Sequence, residues 1–252
     1  MTTASRAPTG PLLVLAAMAE EAAPLTSRLT GPRTLETPFS DGVAAVRGSL
    51  AGHDTVVVTT GIGIAAATAA TTWAILAHWP RVVVAAGSCG GLAADVEVGT
   101  LIVGEAFTYS IADATAFGYA PGQVPGGPER FVAEEPWVRT AEEAARRAAG
   151  PTVPGGTQGP GHRRGLMLSG DAFVTAPLAE PMRERFPAAL SADMETTAGA
   201  RTASVLGVPF VALRAVSDLC GPVAGQQFHL ELDVVAEISA RAVEEFARSL
   251  AA

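Results

Sequence analysis

Val208-Pro209-Phe210-Val211-Ala212-Leu213-Arg214-Ala215-Val216-Ser217-Asp218 is the run on which the fold turns. From Phe210 to Val216 it is a nearly unbroken apolar strand with a single arginine in it. A strand apolar on both of its alternating faces suits a parallel sheet covered by helices on both sides. The strand breaks off in Arg214-x-x-Ser217-Asp218, and Cys220-Gly221-Pro222 turn the chain away. Just upstream, Ala192-Asp193-Met194-Glu195-Thr196-Thr197-Ala198 sets two carboxylates around a methionine, ahead of an Ala/Thr-rich helix reaching about Leu206. In open parallel sheets ligands collect beyond the carboxyl ends of the strands. Charge buried there costs desolvation free energy unless it is paired or used. Glu195 and Asp218 are therefore the first candidates for a site. The plainer alternatives are an aspartate capping a turn and a Met-Glu pair that only packs and caps a helix.

Working outward, Leu12–Ala17 reads as a first buried strand. A helix follows from Glu20 to about Leu29, its leading acids suiting the positive helix N-terminus. Glu21 then lies just past the carboxyl end of that strand. Val43–Gly48 and Thr55–Thr60 read as strands of a meander turning at Gly52-His53-Asp54, and Gly61-Ile62-Gly63 opens an Ala-rich helix to about Ala77. Arg81–Ala86 is a buried strand with Gly87-Ser88-Cys89-Gly90-Gly91 as its exit, and Thr100–Gly104 a short strand. From Thr108 to Arg130 periodicity is lost, and so long a loop in an ordered domain is functional or packs on a partner. Trp137–Ala149 reads as a helix, Gly150–His162 as a Pro/Gly-rich surface loop, Leu166–Leu168 as a strand leaving through Ser169–Phe173, and Leu232–Leu250 as an amphipathic helix.

With 252 residues, 48% of them hydrophobic, the chain can bury a sizeable core. No apolar run reaches the roughly 20 residues that span a bilayer. Leu12–Ala17 is too short for a secretory signal core and meets Glu20-Glu21 at once, so a cytoplasmic location is the expectation. A net charge of −8 argues against a polyanionic partner. Two cysteines make no disulfide framework, and four histidines form no metal spacing. All 17 basic residues are arginine, which excludes Schiff-base chemistry and a Walker-type phosphate loop.

Two motifs point elsewhere and fail on context. Gly61-x-Gly63-x-x-Ala66 matches the dinucleotide fingerprint, but Arg81–Ala86 lacks the acid that would hold a ribose. These glycines read instead as a tight turn with close helix packing. Gly87-Ser88-Cys89-Gly90 is a near-match to a nucleophile elbow, with His229 in the expected chain order, but an elbow runs straight into a helix. Here Gly90-Gly91 and Val96-Glu97-Val98-Gly99 break one. Ser88 reads instead as offering a hydroxyl and backbone donors to a small polar ligand.

Glu21, Ser88, the Phe173 loop and Asp218 stand at four strand ends, with Glu195 close by. Gly61-Ile62-Gly63, Gly87-Ser88-x-Gly90-Gly91-Leu92, Thr115-Ala116-Phe117-Gly118-Tyr119, Ser169-Gly170-Asp171-Ala172-Phe173, Met194-Glu195 and Arg214-Ala215-Val216-Ser217-Asp218 together resemble the 5′-methylthioadenosine/S-adenosylhomocysteine nucleosidases of the purine nucleoside phosphorylase-like superfamily. The resemblance runs in order from about Val14 to the C-terminal helix. It implies one α/β domain over residues 1–252, three-layer αβα with a mixed, twisted central sheet, preceded by a disordered tail at 1–10 and carrying a surface loop at 150–163.

It also implies hydrolysis of the N-glycosidic bond of a 5′-thio-substituted adenosine, with no cofactor and no metal. Such cleavage needs two acids with separate tasks. By position, Asp218 is the acid at purine N7, oriented by Ser217. Glu21 holds and deprotonates the water, helped by Arg214 and Ser88. Glu195 binds the ribose hydroxyls and Met194 packs on the sugar. Phe173 stacks on the base and the backbone of Val174 contacts its edge; Gly90 is a further substrate-binding residue, and Met18 and Ile62 line the 5′ pocket. Phe117, Tyr119 and Pro125 are expected from the neighbouring subunit of a homodimer. Nucleic acid and membrane are not expected partners.

Phosphorylases of the superfamily carry an arginine three residues before the serine of the Gly-Ser loop; here that position is Ala85, so water rather than phosphate is the expected nucleophile. Three departures touch the 5′ end: Ser110-Ile111 where relatives often have His-Asp, an insertion at Gly221–Gly225, and Leu232 in place of an aromatic. They make a futalosine-type nucleosidase the nearest rival. A purine nucleoside phosphorylase and a non-catalytic nucleoside-binding protein are further alternatives.

Overall fold

A computed structural model describes residues 10–149, 161–221 and 223–250. Ten strands among them join in one sheet. β1 (Leu12–Ala16), β4 (His53–Thr59) and β5 (Val82–Gly91) run parallel, and β3 (Ala44–Leu50) and β2 (Thr30–Leu35) continue that side as an antiparallel meander. Beyond β5 lie β10 (Phe210–Asp218), β6 (Leu101–Tyr109), β8 (His162–Ser169) and β9 (Ala189–Asp193), with the two-residue β7 (Phe131–Val132) on β6.

The sheet is mixed, as expected, but not open. β5 pairs with both β10 and β9, and β10, β6, β8 and β9 pair in succession, so five strands close into a ring. Closure puts Asp218, Gly90 and Ala192 side by side across three strands. It therefore gathers strand ends that are far apart in sequence.

Period-2 alternation builds the layers. Leu12, Val14, Val82 and Val84 face one core, shared with helices α1 (Ala19–Thr26), α3 (Glu135–Ala148) and α6 (Ala224–Ser249). Leu13, Leu15, Val83 and Ala85 face the other, under α2 (Ile64–His78) and α5 (Thr196–Leu206). A third cluster seats α4 (Ala176–Arg185) through Ala179 and Met182 on Leu166 and Leu168 of β8. Each Val or Leu so buried contributes about 1.5–3 kcal/mol.

Several boundaries differ from the sequence reading. β5 does not end at Ala86; it runs on to Gly91, because β10 pairs with it from Val83 to Gly90 and supplies partners for a glycine-rich backbone. β2, α4 and β9 carry no periodic signal strong enough to be read. α6 starts at Ala224, so the Gly221–Gly225 insertion is in part its first turn. His162 and Arg163, read as loop, pair with Leu101 and Ile102. The expected tail and the rest of the 150–163 loop lie outside the described residues, apart from Gly10 and Gly161. Among the described residues no helix is long and apolar enough to cross a membrane.

Candidate active site

The first turn of α1 places Glu21, whose side chain closes the helix start. Its Oε2 accepts the N–H groups of Ala17 (2.9 Å) and Met18 (3.2 Å). Its Oε1 accepts both the N–H and the hydroxyl of Ser88, each at 2.7 Å. All four partners donate, so both oxygens of this buried carboxylate act as acceptors. Gly87 makes room for it: a Cβ there would lie 2.5 Å from the Glu21 carboxyl, and its φ of +113° suits only glycine. Ser88 stands inside β5 and its hydroxyl turns to Glu21, not to a histidine.

β10 supplies the one cation among the buried, described residues, Arg214. Its NH1 donates to the Ser88 carbonyl (2.7 Å) and its NH2 to Glu195 Oε2 (3.3 Å), while Nε faces Asp193 Oδ2 at 3.8 Å. Burial works against the Arg214 charge, but Asp193, Glu195 and Glu21 outweigh it and hold its pKa above the ordinary value. Glu195, at the start of α5, also accepts the N–H of Gly63 on Oε1 (2.9 Å). Burial pushes Glu195 up to about 7; Asp193 and Glu21 push the same way, against Arg214 and the Gly63 N–H. Gly61-x-Gly63, read as a simple turn, thus also furnishes a site donor. The next amide, Ile64 N–H, donates to Asp171 of the Phe173 loop (2.7 Å).

Asp218 is the last residue of β10 and is buried. Its Oδ1 accepts the Cys220 N–H (2.9 Å) and its Oδ2 the Ser217 hydroxyl (3.0 Å). Cys220 reaches back because its backbone is left-handed, with φ of +53°. Burial raises the Asp218 pKa from its ordinary value, and these two donors oppose it. The Cys220 thiol beside it is pushed up to about 12, chiefly by burial, so it is a packing group and not a nucleophile.

One cavity of about 170 Å³ collects these groups. Glu21, Ser88, Gly90, Phe173, Val174, Met194, Glu195, Arg214, Ser217, Asp218, Met18 and Ile62 all line it, and Phe117, Tyr119 and Pro125 do not. Phe117 projects into solvent, 83% exposed. Four acids (Glu21, Asp193, Glu195 and Asp218) share the cavity with one arginine. Like charges so crowded favour keeping a proton on some of them. Asp193, Cys220 and Phe228 are among the lining residues that the sequence candidates omit. Phe228 meets Phe173 edge-on, with ring centroids 5.8 Å apart. It precedes Leu232 by four residues, so helical spacing places an aromatic one turn before the position where one was missing.

The family model for the phosphorylase superfamily matches residues 11–252. A 5′-methylthioadenosine/S-adenosylhomocysteine nucleosidase of Geobacillus kaustophilus is 36% identical over 231 residues, covering 91% of this chain and 93% of that one. The chain belongs to this nucleosidase family of the phosphorylase superfamily. Solved nucleosidases agree in shape. That of Neisseria meningitidis, in complex with methylthio-immucillin-A, is 34% identical with a TM-score of 0.86, covering 95% of this chain and 99% of its own. That of Colwellia psychrerythraea, in complex with adenine, is 31% identical with a TM-score of 0.86, covering 95% of each chain.

Proposed function

We propose that the chain hydrolyses the N-glycosidic bond of 5′-thio-substituted adenosines such as methylthioadenosine and S-adenosylhomocysteine, giving adenine and the 5-thioribose. The observation that carries this reading is that Glu21 and Asp218, held by different partners, face one cavity. Asp218 gives its proton to N7 of the purine as the C1′–N9 bond breaks and its electron pair passes into the base. Burial, which raises its pKa, favours the protonated form that this step needs. The sugar becomes oxocarbenium-like, and the carboxylates of Glu21 and Glu195 stabilise that charge. Water held between Glu21, Arg214 and Ser88 adds to C1′ and loses its proton to Glu21; solvent then resets both acids.

Glu195 takes the ribose hydroxyls and Met194 the sugar face. Phe173 stacks on the base, with Val174 and Gly90 at its edge, and Met18 and Ile62 border the 5′ group. Phe117, Tyr119 and Pro125 are assigned to a neighbour's cavity in a homodimer; the solvent-facing ring of Phe117 supports this. Ala85, where phosphate-using relatives carry arginine, favours water as nucleophile. One assay tests the reading: adenine release from methylthioadenosine, S-adenosylhomocysteine and aminofutalosine, with and without phosphate. Phosphate-independent release from the first two is expected. Release only with phosphate, or only from aminofutalosine, overturns it.

A further inference from the structure

Asp193 stands outside the roles just assigned, yet it meets both the backbone of Glu195 and the guanidinium of Arg214. Its side chain is 2% exposed. Oδ1 accepts three donors: the Ser169 hydroxyl (2.7 Å), the Glu195 N–H (2.9 Å) and the Thr196 N–H (2.8 Å). Ser169 is itself fixed, accepting the Thr197 N–H at 2.8 Å. Oδ1 therefore ties the end of β8 to the first turn of α5 and fixes the backbone on which Glu195 is mounted. Oδ2 is different: it is buried, lacks a hydrogen-bond partner among the described residues and faces Arg214 Nε, which lacks one among them too, at 3.8 Å. That separation is too long for a hydrogen bond, but at low dielectric it is a strong charge contact.

We propose that Asp193 is a positioning residue for the sugar-binding end, setting both the place and the charge of Glu195: Oδ1 fixes its backbone, and Oδ2 shares Arg214 with it. This rests on the reading of Glu195 as the ribose-hydroxyl acceptor. The groups facing Glu195 are Arg214 from β10, Asp193 from β9, Glu21 from α1 and the Gly63 N–H before α2. Without the Asp193 charge, one repulsion of Glu195 disappears and Arg214 is left to Glu195 and Glu21. Both changes favour the ionised form of Glu195.

The test is a carboxyl 13C NMR titration of protein labelled at glutamate Cδ, the Glu195 signal being identified by its loss in Glu195→Gln. Asp193→Asn keeps an acceptor at Oδ1 and removes the charge. It is expected to lower the Glu195 midpoint by about one pH unit, and the acid limb of kcat/KM for adenine release moves with it. Ser169→Ala takes one donor from Oδ1 and the acceptor from the Thr197 N–H but leaves the Asp193 charge in place, so the midpoint holds while kcat falls. If Asp193→Asn does not fold, Asp193→Ser, whose hydroxyl can still cap the first turn, must shift the midpoint the same way. A midpoint unmoved or raised on loss of the charge overturns the proposal, as does an equal shift in Ser169→Ala. A wild-type protein that releases no adenine refutes the nucleosidase reading instead, and the titration still decides the part played by Asp193.

Discussion

Glu21 and Ser88 are joined twice through a single oxygen: the amide and the hydroxyl of the serine both donate to Oε1, at 2.7 Å each. Ser88→Ala removes one of the four donors, and the backbone contact survives. We expect kcat/KM for adenine release to fall about ten- to a hundredfold, with little change in thermal stability. Gly87→Ala acts on the same carboxylate more harshly, since its Cβ would lie 2.5 Å away. It is expected to lower both activity and melting temperature.

Asp218→Asn keeps an acceptor for the Cys220 N–H but cannot carry the proton to the purine. Turnover should drop by about two to four orders of magnitude. Adenine binding, measured by calorimetry, should persist, because the cavity walls are unchanged. Turnover kept within tenfold of wild type would remove Asp218 from its assigned role.

Glu195 makes stability depend on pH in a predictable direction. Its folded pKa, about 7, exceeds the unfolded value of about 4.3. Between these values the folded state binds more protons than the unfolded one, so stability falls as pH rises through that window. Relative to Glu195→Gln, the wild type should lose on the order of 2–3 kcal/mol between about pH 4 and 7.5, read from urea unfolding at each pH. Parallel pH curves for the two proteins would contradict the burial-driven shift.

Asp171 links two parts of the cavity, because the start of α2 donates Gly63 N–H to Glu195 and Ile64 N–H to Asp171. Asp171→Ala should free the Phe173 loop and raise KM several-fold more than it lowers kcat. Asp171→Asn, which retains the acceptor, should restore most of the loss. Steady-state kinetics of the pair check this.

Strands with a strong apolar signature were legible in the sequence: β1, β4 and β10 lie close to where their composition places them. The candidate site was legible in the same way, since carboxylates at the ends of such strands are conspicuous. β5 beyond Ala86 was not, because glycines carry no strand preference and that stretch is held by pairing with β10. Closure of the ring was equally hidden, as pairing between β5 and β9 depends on residues a hundred apart. Asp193 was visible as one of the two carboxylates around Met194 but had no assigned task, because its partners are the Ser169 hydroxyl, two backbone amides and an arginine 21 residues on. Phe228 was missed for a simpler reason: its helix starts earlier than the amphipathic pattern indicates.

β10 carries Arg214, proposed above for the sugar end, and Asp218, proposed for the base, on one backbone segment, four residues or roughly 13 Å apart. The strand therefore works as a ruler for the ligand, graduated by the rise of an extended chain. Loops around the rim can lengthen or shrink to suit different 5′ tails while this spacing stays fixed. Inserting one residue between the two would detune the chemistry for every nucleoside at once.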